Sequence, residues 1–261
     1  MSLMYVAKRV RPDILFVTCM LATKCETPNA THLKYAMHTV AYLKATKSKG
    51  IRFRSGGDND LHVYADASFS AHPDGSSHTG IVCILGGAPI YFKSTKQRLV
   101  VKSTTDAELY ACDDGVEIGL WLADLCREIG HDPGDILHVY QDNQAAIVLM
   151  TRGSYSRKRG SMRARLGFVR QQIELGLIEL IDTESEAMLA DVLTKALHGA
   201  AFEREAGKLL HSPVFDRMAV QDEVVKTTVD SPTKLTKASG KGTNGYPGRR
   251  GRGKAAIASK P

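Results

Sequence analysis

Four acidic side chains, Asp66, Glu108, Asp142 and Asp191, are the residues whose type and placement point to chemistry in this sequence. Hydrolysis of a phosphodiester with two divalent ions needs several hard oxygen ligands around metals ~4 Å apart, with positions left open for phosphate and water. Dispersed carboxylates supply such a site when a fold gathers them. Singly, each has an ordinary account: Asp191 can pair with Lys195 at i+4, Glu108 suits a helix N-terminus, and Asp142 can cap the helix that follows it. Asp66 is the hardest to dismiss, because it interrupts an alternating apolar strand. No Ser-His-Asp or Cys-His spacing and no Gly-rich phosphate loop competes with the acids.

The elements that must position these acids follow from periodicity and turn signals. Pro12-Asp13 opens an apolar stretch through Ala22, and Pro28 opens a second with Leu33, Ala36, Met37, Val40, Ala41 and Leu43 at helical spacing. Leu61–Ala67 alternates as a strand and carries Asp66; Thr79–Leu85 and Ala88–Lys93, parted by Gly86-Gly87, read as a hairpin. Ser103-x-x-Asp106 caps a long helix running to about Gly130, with Glu108 in its second turn and Ala107, Ala111, Ile118, Trp121, Leu122 and Leu125 as expected core contacts. Ile136–Gln141 is a fourth strand, Asn143–Met150 a short helix, Leu166–Leu175 part of another, and Gly176–Ile181 a fifth strand. Thr183-x-x-Glu186 predicts a helix through Leu197 that carries Asp191, with Phe202–Leu210 helical after it. The expected fold class is α/β, a five-stranded mixed sheet flanked by helices and preceded by a small helical segment.

At 261 residues and 43% hydrophobic content the chain can bury a substantial core. Its net charge of +7 is concentrated: residues 152 to 170 hold seven Lys/Arg and no acid, and residues 216 to 261 hold ten against four acids, so the remainder is net negative. Concentrated positive charge favours a polyanionic partner. Cys19, Cys25, Cys83, Cys112 and Cys126 show neither a disulfide framework nor zinc-ligand spacing, which implies a reducing compartment, cytoplasmic or nuclear. No apolar run reaches the ~18 residues of a membrane span, so no membrane partner is expected.

The motifs Tyr64-Ala65-Asp66-Ala67-Ser68, Gly86-Gly87-Ala88-Pro89-Ile90, Lys93-Ser94-x-Lys96-Gln97, Ser103-Thr104-Thr105-Asp106-Ala107-Glu108, Gln141-Asp142-Asn143-Gln144-Ala145-Ala146, Phe168-Val169-Arg170 and Leu189–Lys195 occur in this order over residues 60 to 200. Together they resemble the ribonuclease H domain of copia-type LTR retrotransposon polyproteins. Arg11-Pro12-Asp13-Ile14 and Tyr42-Leu43-Lys44-x-Thr46 resemble the end of the adjoining reverse transcriptase. The resemblance implies a ribonuclease H-like sheet and places the metal-binding, catalytic acids on Asp66, Glu108, Asp142 and Asp191. It also implies two Mg2+ ions, with Mn2+ equally suited to oxygen ligands, and cleavage of the RNA strand of an RNA·DNA hybrid.

Arg157, Lys158, Arg159, Arg163 and Arg165, with Asn143 and Gln144 beside Asp142, are the expected nucleic-acid contacts. Where the family carries a Lys-His-Ile-type stretch this chain reads Arg159-Gly160-Ser161-Met162-Arg163, so Ser161 replaces a histidine. The paired aspartates of a polymerase are absent; Asp113-Asp114 lies within the long helix, and no DNA synthesis is expected. The expected organisation is a helical reverse-transcriptase remnant over 1–55 with Ile14, Phe16 and Leu21 partly exposed, a ribonuclease H-like domain over 56–212, and a basic flexible tail over 213–261 offering a further nucleic-acid contact. The rest of a polyprotein is a further expected partner. Two other readings remain open at this point: a degenerate or repurposed nucleic-acid-binding module, and a nuclease of the same fold acting on DNA.

Overall fold

The computed structural model describes residues 2–53, 59–152 and 160–210, with the backbone alone at Ser161. These residues all fall within one compact unit, Met1–Val220. The expected tail, and Arg157, Lys158 and Arg159 of the basic segment, lie outside the described residues.

Three antiparallel strands open the sheet: β1 (His62–Ser68), β2 (His78–Leu85) and β3 (Ala88–Lys96). Gly86 and Gly87, at φ of +60° and +72°, make the two-residue turn between β2 and β3, a conformation side chains resist at both positions. Helix α4 (Thr104–Glu128) then crosses to β4 (Leu137–Gln141), which pairs with β1 in parallel. Helices α5 (Gln144–Thr151) and α6 (Gly160–Glu174) lead to β5 (Ile178–Asp182), parallel to β4. The strand order is β3-β2-β1-β4-β5. This is the mixed five-stranded sheet flanked by helices that the sequence predicts.

Each face of the sheet has its own core, as strand alternation requires. Val63, Ala65, Ala67, Ile81 and Cys83 face α4 and α6, packing with Ala111, Val116, Leu166 and Val169. Val82, Ile84 and Phe92 face the other way. That second face is covered by α1 (Ser2–Arg9), the 3-10 turn Pro12–Ile14, α2 (Leu15–Ala22), the segment Met188–Leu193 and α7 (Gly199–Leu209). Helix α3 (Ala30–Ala45) adds Tyr42 and Leu43 to the same cluster.

Three expectations are corrected. Ile14 is 2% exposed rather than partly exposed, because the N-terminal helices close one face of the sheet. Trp121 and Leu125 are 56% and 39% exposed: α4 turns Gly115, Val116, Gly119 and Leu122 to the sheet, and the tight approach at Gly119 to Leu137 and Val63 fixes that face. Residues 183–197 form two 3-10 turns, Ser185–Ala187 and Asp191–Leu193, in place of a helix. Met188, Ala190, Val192 and Leu193 are all buried, and near-consecutive burial does not fit one helical stripe. Because Ile14 sits in the shared core, Ile14→Ala is expected to cost about 2–5 kcal/mol of stability, read as a lower midpoint in a single unfolding transition by urea titration.

Candidate metal centre

Asp66 and Glu108 approach from opposite sides of the sheet. Asp66 shares its face with Tyr64, two residues back along β1, and is paired in register with Gly80. Glu108 projects from the second turn of α4. That helix starts where Ser103 accepts the Asp106 amide, and Gln97 ties it to the strands by donating to Thr79 Oγ1 and the Ala107 carbonyl, both at 3.0 Å. Asp142 follows the last residue of β4. The expected cap of α5 is made instead by Asn143, whose Oδ1 accepts the Ala146 amide at 3.0 Å, so Asp142 is released from that duty.

Ligand oxygens of Asp66, Glu108 and Asp142 lie within 4.8 Å of one another. They line a cleft of about 530 Å³ with Ala67, Thr104, Asn143, Gln144 and Lys195. Asp66 is 2% exposed, and its Oδ2 accepts the Thr194 hydroxyl. Glu108 Oε2 accepts the Ala67 amide at 3.1 Å and the Gln141 side-chain amide at 3.3 Å. Asp142 Oδ2 accepts the Ser185 hydroxyl at 2.9 Å. Each acid is thus oriented from the protein side by a neutral donor.

Burial and mutual repulsion among the acids dominate the electrostatics of the cleft. Burial pushes the Asp66 carboxyl up to about 6; Lys195 pulls it down, and Asp191 and Asp142 add to the rise. Burial also raises Glu108 well above its ordinary value, with Asp66 and Asp142 adding to it against the Gln141 and Ala67 donors. Lys195 Nζ lies 2.6 Å from Asp191 Oδ1 and 3.9 Å from Asp66 Oδ2. Burial pulls that ammonium down, but the surrounding acids outweigh it and raise its pKa. The donor set, all oxygen, clustered and short of positive charge, fits a hard divalent cation.

Asp191 stands apart from the three clustered acids. It begins a 3-10 turn and makes the i+4 pair with Lys195, although its charge reaches Asp66. Of the expected nucleic-acid contacts, Asn143 and Gln144 line the cleft, the second also donating to Asp182 Oδ2 at 3.1 Å. Arg163 is exposed on α6. Arg165 turns inward, stacks over the Tyr110 ring at 3.7 Å and pairs with Asp113 and Asp114, so it clamps α6 to α4. Thr194, Gln141 and Ser185 are site residues that the search for carboxylates passes over. Gln141 opens the motif that carries Asp142, and that placement is the sequence signal that could have found it.

No protein-family model matches the chain. Over 209 residues it is 30% identical to the retrovirus-related Pol polyprotein from transposon RE1 of Arabidopsis thaliana, covering 80% of this chain and 14% of that protein. It is 28% identical over 203 residues to the corresponding polyprotein from the tobacco transposon TNT 1-94, covering 77% and 15%. The chain therefore spans about one seventh of the length of these relatives. Among solved structures, LC11-RNase H1 isolated from compost shows 18% identity over 52% of this chain and 93% of that one, with a TM-score of 0.40. No helix among the described residues is long and apolar enough to cross a membrane. The homologues of this chain are retrovirus-related Pol polyproteins of Ty1/copia-type transposons, as its motifs anticipate.

Proposed function

We propose that this chain is a metal-dependent endonuclease that cleaves the RNA strand of RNA·DNA hybrids. The observation that carries the reading is the convergence of Asp66 on β1, Glu108 on α4 and Asp142 just after β4, far apart in sequence, into one cleft. Its motifs and its relatives among Pol polyproteins agree with it. Divalent ions, Mg2+ or Mn2+, supply Lewis acidity toward a phosphodiester and a water nucleophile at neutral pH.

The protein's share is binding and orientation. Asp66, Glu108 and Asp142 hold the metals, while Thr194, Ala67, Gln141 and Ser185 fix their oxygens. Asp191, paired with Lys195 beside the cleft, would be the fourth acid of the centre. Asn143 and Gln144 at the cleft, exposed Arg163 and the basic residues 157–159 contact the hybrid backbone and 2′-hydroxyls. The boundary near residue 55 is one of origin from a reverse transcriptase, and packing runs across it. The rest of a polyprotein and, through the 213–261 tail, further nucleic acid are the remaining partners.

A substrate panel tests the reading. With Mg2+ or Mn2+, labelled RNA·DNA hybrid is expected to be cut in its RNA strand to 5′-phosphate and 3′-hydroxyl ends, with double-stranded DNA left intact and chelation stopping the reaction. Hybrid binding that weakens steeply with salt but yields no cleavage with either ion would replace this reading with the degenerate binding module.

A further inference from the structure

Asp66, Gly80 and Ser94 are register partners across β1, β2 and β3, and so form one row on one face of the sheet. The segment Ala190–Lys195 lies across that row. At one end Thr194 donates to Asp66. In the middle, a Cβ on Gly80 would lie 2.6 Å from Thr194 Cγ2 and 2.9 Å from the Ala190 carbonyl oxygen, so the segment occupies the space a side chain would fill. At the other end Ser94 Oγ donates to the Leu193 carbonyl at 2.8 Å.

Ser94 is itself held. His78 Nε2 lies 2.8 Å from its hydroxyl oxygen, and His72 Nε2 lies 3.0 Å from His78 Nδ1. A serine has one hydroxyl proton, and here Leu193 receives it. His78 must therefore donate from Nε2 and accept at Nδ1, and His72 must donate from Nε2. The three side chains are buried, so the hydrogen bonds run in one direction, from His72 through His78 and Ser94 to Leu193. Such a chain is costly to leave half satisfied, and it fixes the carbonyl at its end.

We infer that the His72–His78–Ser94 relay is a positioning device for the acidic cleft: it pins the Ala190–Lys195 segment in the Gly80 gap, and thereby sets Thr194 and Lys195 against Asp66. This rests on the reading of the acids as a metal centre, and the test separates the two. Mn2+ affinity is measured by calorimetry on the full chain, and amide exchange is followed over residues 190–195. Ser94→Ala and His78→Leu are expected to weaken Mn2+ binding by about 10-fold, the lower end of the range for an outer-shell partner because they act on Asp66 only through Thr194, and to speed exchange in that segment. His78→Gln keeps a donor in the place of Nε2 and is expected to bind as the parent does. Val63→Ala, in the core under α4, serves as a control of comparable stability loss and is expected to leave Mn2+ affinity unchanged. The inference is overturned if Ser94→Ala matches the parent in both measurements, or if Val63→Ala weakens Mn2+ equally. If the parent itself binds no Mn2+, the metal-centre reading fails, and exchange alone decides the relay: unchanged rates in Ser94→Ala overturn it, faster rates sustain it.

Discussion

Asp66→Asn is expected to lower hybrid cleavage by on the order of a thousandfold while making the metal-free protein more stable. The two effects have one cause. Asp66 is almost fully buried, and its folded-state pKa near 6 lies above the unfolded value of 3.8. The folded state therefore holds the proton more tightly, and ionisation at neutral pH works against folding. An amide keeps the shape, and its oxygen still accepts from Thr194, but the buried charge is gone. The gain is present at pH 7 and fades as pH falls through the folded-state pKa, read as a higher denaturation midpoint in chelator. Saturating Mg2+ should stabilise the parent and leave the variant unmoved. A variant that loses stability in chelator would show that Asp66 is an ordinary structural acid.

Gly80→Ala is the second large effect, and it acts without touching an acid. The added methyl meets Thr194 Cγ2 at 2.6 Å, Leu193 Cβ at 3.0 Å and the Ala190 carbonyl at 2.9 Å. Backbone on one side and strand on the other leave it nowhere to go, so the Ala190–Lys195 segment must lift. A stability loss of about 1–3 kcal/mol is expected from the overpacking. Cleavage is expected to fall on the order of a hundredfold, as small misplacements of a site do. Ile81→Val, one residue along the same strand but facing the other core, is the comparison: it should cost stability with cleavage close to the parent. Equal cleavage in the two variants would mean that the segment does not govern the site.

The strands and the acids were legible because their signals are local. Alternation placed β1, the Gly86-Gly87 pair marked the hairpin, and an aspartate in an apolar strand stood out. Glu108 and Asp142 were candidates from their places at the start of a helix and the end of a strand, with the motifs agreeing, and the fold brings both to Asp66. What stayed hidden depends on contacts between distant segments. The 183–197 stretch carries a capping pattern, yet its apolar residues are buried nearly in succession against β2 and the N-terminal helices, and that overrides the helical signal. Trp121 and Leu125 look like core residues until α4 is seen to approach through Gly115 and Gly119. A glycine inside β2 signals a close approach, but not which segment approaches. Likewise the Asp191–Lys195 spacing announces an ion pair without revealing that Lys195 also stands beside Asp66.

Anomalous diffraction from crystals equilibrated with Mn2+ tests the central claim most directly. The account predicts Mn2+ held by the carboxylates of Asp66, Glu108 and Asp142, with the Lys195 ammonium moved away from Asp66. Crystals with no Mn2+ among these three acids at saturating concentration, and Lys195 still beside Asp66 and Asp191, would contradict it.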